Sequence, residues 1–172
     1  MDRKLSRRIL IFISASSCIS AVLITILILY FRGAFLPGWI EWDRDSREAV
    51  AEELEDLLDS SWLIQDALSF DIDGDGSDDR ILLVWKRGSY GKHMPTWVRR
   101  NDTGFSQHIF IYSNIDNVWQ PVWMSSGLGM QVKTFSEGGE ISGTGRRSLD
   151  ITESDGSVSR WGWLTWGLTK VE

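Results

Sequence analysis

One cysteine, Cys18, stands among the 172 residues, so the chain can form no internal disulfide. Histidine is almost as scarce. His93 and His108 have no cysteine near them and no repeated spacing, which excludes the usual zinc ligand sets. No G-x-S-x-G elbow occurs, and "SGLGM" and "SGTGRR" lack the strand-to-helix setting of a nucleotide-binding loop. No enzyme motif is therefore legible, and a non-enzymatic role is expected. Helical periodicity is also missing beyond residue 60. Proline occurs only at positions 37, 95 and 121, and Pro121 places its strand at a sheet edge or at a bend.

Charge is missing altogether from residues 9–31, "ILIFISASSCISAVLITILILYF". As a helix this stretch would be about 35 Å long, enough to cross a hydrocarbon core of about 30 Å. Arg3, Lys4, Arg7 and Arg8 precede it, and acids dominate from Glu41 onward. The positive-inside rule then predicts a cytoplasmic tail at 1–8, a transmembrane signal anchor at 9–31 and an extracytoplasmic remainder. The run is too long for a cleaved signal peptide and has no good A-x-A site after it. Cys18 lacks a lipoprotein setting, because Ala15 stands where leucine is usual, and the paired arginines are explained by the inside flank. With Cys18 in the span, the outer part has no thiol chemistry and needs a real core or another staple.

A linker is expected at 32–42, with Trp39 and Trp42 at headgroup level. "DRDSREAVAEELEDLLDSS" then reads as an amphipathic helix burying Val50, Leu54, Leu57 and Leu58, with Asp45 and Glu48 forming a capping box. From Trp62 onward, short apolar runs alternate with Gly, Asp, Asn and Ser clusters, and "NIDN" and "ESDGS" suggest hairpin turns. The expected fold of residues 43–172 is mainly β (α+β): one helix on an antiparallel sheet of five to eight strands. Ten tryptophans lie outside the apolar span. Trp85, Trp119, Trp123, Trp161, Trp163 and Trp166 are expected to fill the β core, with Trp97 and Trp119 as an alternative surface pair.

The net charge of −6 is unevenly spread. Residues 41–79 hold fifteen acids against two bases, whereas residues 80–172 hold eleven bases against eight acids. A third of those fifteen acids fall in "SFDIDGDGSDDRILLVW", residues 69–85. Asp71, Asp73 and Asp75 stand at positions 1, 3 and 5 of a loop, Gly76 at the turn, Ser77 at position 7 and Asp79 at position 9. Alternate oxygens of this kind suit calcium, which takes six to eight of them. Position 12 is Leu82 where an EF-hand requires glutamate, and β-type runs flank the loop, so an EF-hand is excluded. The alternative is a plain turn built from Asp and Gly, in which carboxylates this close together would repel one another.

The D-x-D-x-D-G-x-x-D pattern, from Phe70 through Asp79 and followed by Ile81, Leu82, Leu83 and Val84, resembles the calcium-binding FG-GAP or VCBS repeats of integrin-type β-propellers. The resemblance implies that Asp71, Asp73, Asp75 and Asp79 bind through side chains and Ser77 through its carbonyl, with Ile72 turned into the core. It covers some 20 residues. Only one copy of the loop exists, and a propeller needs about four blades of four strands, so a complete propeller is not expected.

A second pattern follows the loop. "WKRGSYGKHMPTWVRR" interleaves Trp85, Tyr90 and Trp97 with Lys86, Arg87, Lys92, Arg99 and Arg100. Outside a cell such a surface would meet an anionic envelope polymer or a glycan rather than nucleic acid. The alternative for this run is a solvated basic face. Asn101-Asp102-Thr103 forms a glycosylation sequon, meaningful only in a glycosylating host. The sequence thus points to a membrane-anchored, calcium-stabilised binding or scaffolding domain. The rivals are a structural subunit of an envelope complex and a hydrolase whose site carries no motif.

Overall fold

Two antiparallel four-stranded sheets make up the β domain in the computed structural model, which describes residues 19–30, 36–40, 42, 50, 52–90 and 96–171. Sheet 1 contains β1 (Leu63–Phe70), β2 (Asp79–Arg87), β3 (Phe105–Ile115) and β4 (Val118–Met124), in chain order. Sheet 2 contains β5 (Val132–Glu140), β6 (Arg147–Glu153), β7 (Val158–Leu164) and β8 (Gly167–Lys170), again in chain order. The sheets do not close into a barrel. The sequence led to a single sheet; eight strands form, but they are shared between two sheets that face each other.

The chain divides between Pro37 and Gly38, inside the segment read as a linker. Before that point, residues 19–30 are helical with every side chain exposed. Among the described residues no helix is long and apolar enough to cross a membrane. Residues 1–18, which hold the basic flank and the first part of the expected span, lie outside them.

The central strands of sheet 1, β2 and β3, are buried on both faces, and this explains why they read as unbroken apolar runs. Ile81, Leu83, Ile109 and Ile111 face sheet 2, where Val132, Phe135, Leu149, Ile151 and Trp163 complete the main core. The intervening Leu82, Val84, Phe110 and Tyr112 face the other way, against Val50, Leu54 and Trp62. Residue 50 and residues 52–54 are helical and pass into a single 3-10 turn, Glu55–Leu57. Val50 and Leu54 are buried as expected and Leu58 is half-buried against them, but Leu57, the last residue of the 3-10 turn, is exposed. Residues 43–49, including the expected cap, lie outside the described residues.

A bulge in β1 sets the contact between the sheets. Ile64 pairs with Val84 and Asp66 with Leu83, so Gln65 is the extra residue on its strand. Such an insertion re-aims side chains. Gln65 points at the edge strand of sheet 2 and donates to the carbonyls of Val132 (3.3 Å) and Lys133 (2.7 Å). Its carbonyl oxygen accepts from the Trp85 indole N–H (2.7 Å) and from Gln107 (2.8 Å). Gln107 also spans Val132, donating to its carbonyl and accepting from its N–H, both at 2.7 Å. Asp66 accepts from the Thr134 hydroxyl (2.8 Å) and the Phe135 N–H (3.3 Å). Three polar side chains therefore stand in for a ninth strand along the edge of β5.

At the opposite edges, β4 meets β8. Pro121 sits on edge strand β4 beside a register shift between Ile111 and Tyr112, which fulfils both the edge and the bend expected of it. A side chain at Gly167 would collide with the Trp123 indole nitrogen. Gly167→Ala should therefore lower stability by about 1–3 kcal/mol, the usual cost of overpacking a core edge. Urea unfolding followed by tryptophan fluorescence would read this, and an unchanged midpoint would contradict the close approach.

The expected hairpin turns form. Ile115 pairs with Val118 across Asp116 and Asn117, both left-handed (φ 54° and 63°), as a type I′ turn requires. β8 is the strand that sequence patterning misses. Leu164 pairs with Gly167 across Thr165 and Trp166, a two-residue turn with no glycine or asparagine to announce it. Trp166 was expected in the core, but at the tip of this turn it is 79% exposed. Trp85 and Trp163 are buried, Trp119, Trp123 and Trp161 are half-buried, and Trp97 is exposed.

Candidate metal centre

The loop at 71–79 joins β1 to β2 at one end of sheet 1. Phe70 and Ile72 anchor its first half in the core, with Ile72 only 1% exposed, as the repeat resemblance implies. The chain then turns sharply. Gly74 and Gly76 take φ of 79° and 93°, conformations costly for any residue with a side chain. The Arg146 side chain packs against Gly74, and its guanidinium donates to the Trp163 carbonyl (2.9 Å).

The turn is organised around Asp71. One carboxylate oxygen accepts from the N–H groups of Gly74 (2.7 Å) and Asp75 (3.1 Å), and the other from Gly76 (2.9 Å). Asp73 accepts from the Asp75 N–H (3.1 Å), and Asp75 accepts from the Ser77 N–H (2.8 Å). Asp79 returns to the start of the loop, accepting from the Ile72 N–H (3.2 Å) and from the Ser113 hydroxyl on β3.

Carboxylate oxygens of Asp71, Asp73 and Asp79 all lie within 4.8 Å of one another. Three of the expected ligands thus converge, while Asp75 and Ser77 stay outside this group, exposed and bonded to each other. The donor set is all oxygen, which suits calcium or magnesium rather than a softer transition metal. Asp79 is the unusual member. It is 3% exposed, and both of its hydrogen-bond donors are neutral. Burial pushes its carboxyl up to about 6, with Asp73 and Asp75 adding repulsion. Burial, with help from Asp75 and Asp71, also raises Asp73. Both shifts arise first from burial, which penalises the charged carboxylate, and repulsion among the neighbouring aspartates adds to it.

A pH dependence follows. Asp79 has a higher pKa folded than unfolded, so the metal-free folded chain takes up a proton that the unfolded chain releases. That contribution to stability is complete below about pH 4 and is lost as pH rises through about 6. Asp79→Asn, which keeps the shape without the charge, should flatten the melting temperature across this window in a metal-chelating buffer. A profile identical to that of the wild type would contradict the assignment.

The basic and aromatic run after the loop does not form one surface. β2 is buried on both faces, which takes Trp85 and Lys86 inside and corrects their expected place on a ligand surface. Lys86 donates to the carbonyls of Gly88 (2.8 Å) and Tyr90 (3.3 Å), and burial lowers its pKa, so it holds the following loop in place. Arg87 lies over the Phe105 ring and donates to the Thr103 carbonyl (2.8 Å). Tyr90 is half-buried and tied through its backbone to Asn101. Trp97, Arg99 and Arg100 are exposed, and Lys92 lies outside the described residues. Asn101 donates its amide to the Tyr90 carbonyl (2.6 Å), so the nitrogen a glycan would need is already engaged. Sequence reasoning overlooked Ser113, which secures Asp79 from a neighbouring strand 34 residues away and leaves no local signal. Against protein-family models, curated proteins and solved structures, the chain finds no match.

Proposed function

We propose that this chain is a membrane-anchored, extracytoplasmic binding or scaffolding domain whose loop at 71–79 holds a calcium ion. The observation that carries the proposal is the convergence of Asp71, Asp73 and Asp79 around a carboxylate that is buried without a basic partner in its hydrogen bonds. Asp71 shapes the loop with backbone bonds, Asp73 and Asp79 supply the concentrated charge, and Asp75 and the Ser77 carbonyl are the reserve ligands. The ion would add to the positive charge already beside the loop, the Arg146 guanidinium packed against Gly74, which makes no hydrogen bond to Asp79. Its role is structural: it fastens the end of sheet 1 and catalyses nothing. The anchor rests on the uncharged run at 9–31 with its basic flank.

The location is tested by protease protection of right-side-out vesicles carrying the full chain. The account expects residues beyond 40 to be digested only from the outside. Digestion only after the vesicles are opened from the cytoplasmic side would reverse the topology.

A further inference from the structure

Residues 88–104, which join β2 to β3, leave sheet 1 at the end opposite the 71–79 loop. The two stems of this connection are tied together. The Gly88 N–H donates to the Gly104 carbonyl (2.9 Å), and Asp102 accepts from the Ser89 N–H (3.0 Å) and hydroxyl (2.6 Å). Asn101 brackets Tyr90, accepting from its N–H (3.0 Å) and donating to its carbonyl (2.6 Å). The tip stays outside. Trp97 sits in a turn and is 79% exposed, and Arg99 and Arg100 beside it are exposed too. Among the described residues, no hydrogen bond or ion pair engages either arginine.

The two ends of β2 carry opposite charge. Residues 71–79 hold Asp71, Asp73, Asp75, Asp78 and Asp79 and no base, whereas residues 88–104 hold Lys92, Arg99 and Arg100 against Asp102 alone. Asp102 is already engaged by Ser89 and Gly104. The nine residues of β2, at about 3.3 Å each, put these ends about 30 Å apart. That is several Debye lengths of about 8 Å at physiological salt, so the acids do not cancel the field of the basic tip. Glu53, on the acidic helix, also belongs to the other end, because it pairs with Arg80 next to Asp79.

We infer that this tip docks on an anionic phospholipid surface, Trp97 entering at headgroup level while Arg99 and Arg100 bind lipid phosphates. Indole rings favour that level, and the guanidinium fork matches phosphate geometry. The inference rests on the reading of the chain as membrane-anchored. A domain tethered through residues 32–42 meets the bilayer at high effective concentration, so a contact too weak to recruit a free protein suffices. The ligand surface expected of the basic run thereby narrows to three residues, and the ligand is the membrane itself.

The test reconstitutes the full chain in phosphatidylcholine vesicles, with or without phosphatidylglycerol, and reads tryptophan quenching by brominated lipid. The emission that Trp97→Phe removes is the Trp97 signal. With phosphatidylglycerol it should be blue-shifted and quenched. In phosphatidylcholine alone, or in about 1 M salt where the Debye length is about 3 Å, it should be neither. Replacing both arginines, Arg99→Gln with Arg100→Gln, should lower the ratio of docked to free tip by about tenfold or more, since each base near an anionic surface contributes about fivefold. All three positions are exposed, so the melting temperatures of the variants should match wild type. A Trp97 signal alike in both lipids, or quenching unchanged by the paired variant, would overturn the inference. So would a shift caused by soluble polyglutamate in the absence of one from phosphatidylglycerol, which would assign the tip to a polyanion. Flotation of the same vesicles reads the anchor separately. A chain that floats with phosphatidylcholine but leaves Trp97 unquenched by either lipid keeps its anchor and loses the docking tip. A chain that floats only with phosphatidylglycerol keeps the tip and loses the anchor.

Discussion

Gln65→Leu should lower the stability of the folded domain by about 2–5 kcal/mol. The substitution nearly conserves volume and places an apolar residue where the surroundings are largely buried. Its cost comes from what it abandons. The Trp85 indole N–H loses its acceptor in the buried joint between the sheets, and the half-buried Lys133 carbonyl loses its donor. Each orphaned buried group costs about 1–3 kcal/mol. Gln107 keeps its two bonds to Val132, which bounds the loss from above. Gln120→Leu on the exposed face of β4 is the matching control and should stay within about 0.5 kcal/mol of wild type. Urea unfolding of the full chain reads both. Equal effects from Gln65 and Gln120 would show that the polar clamp is dispensable and that apolar packing alone joins the sheets.

Calcium should raise the melting temperature by about 3–10 °C at ~10 mM. Sites in extracellular modules bind at about 10⁻⁴–10⁻³ M, so this concentration is about 10–100 times Kd and stabilises by about 1.4–2.7 kcal/mol. A domain of this size moves by about 2–4 °C per kcal/mol. Magnesium, which demands a tight octahedron, should do less. Asp73→Ala and Asp79→Asn should both remove the response, for different reasons. Asp73→Ala removes a ligand. Asp79→Asn also relieves the buried charge, so without metal it should melt above wild type at pH 8. A variant that loses the calcium response while gaining intrinsic stability is hard to explain as general damage.

Much of this fold was legible in the sequence because its turns are chemically explicit. Asp116-Asn117 and Asp155-Gly156 announce their hairpins, and Pro121 announces an edge. The sharp turn at 71–79 was legible for the same reason, since Gly74 and Gly76 stand where its backbone is left-handed. The division into two sheets was not legible. β2 and β3 are covered on both faces, so they lack the alternation that would have told inside from outside. The joint between the sheets depends on Gln65, Gln107 and Asp66, polar residues whose partners are 25 to 69 positions away. The basic run misled because its residues were read as a surface. Lys86 turns inward and uses its ammonium on two carbonyls of the next loop, a role that charge counting does not reveal. Trp166 misled in the opposite direction, as a large aromatic placed at a turn tip rather than in the core.

The central claim is that Asp71, Asp73 and Asp79 form one calcium site, and a calorimetric titration of the full chain with calcium at pH 7.5 addresses it most directly. The account predicts a single site per chain with a Kd of about 10⁻⁴–10⁻³ M, weakening as pH falls through about 6 and absent in Asp79→Asn. No saturable binding by the wild type, or equal binding by Asp79→Asn, would contradict it.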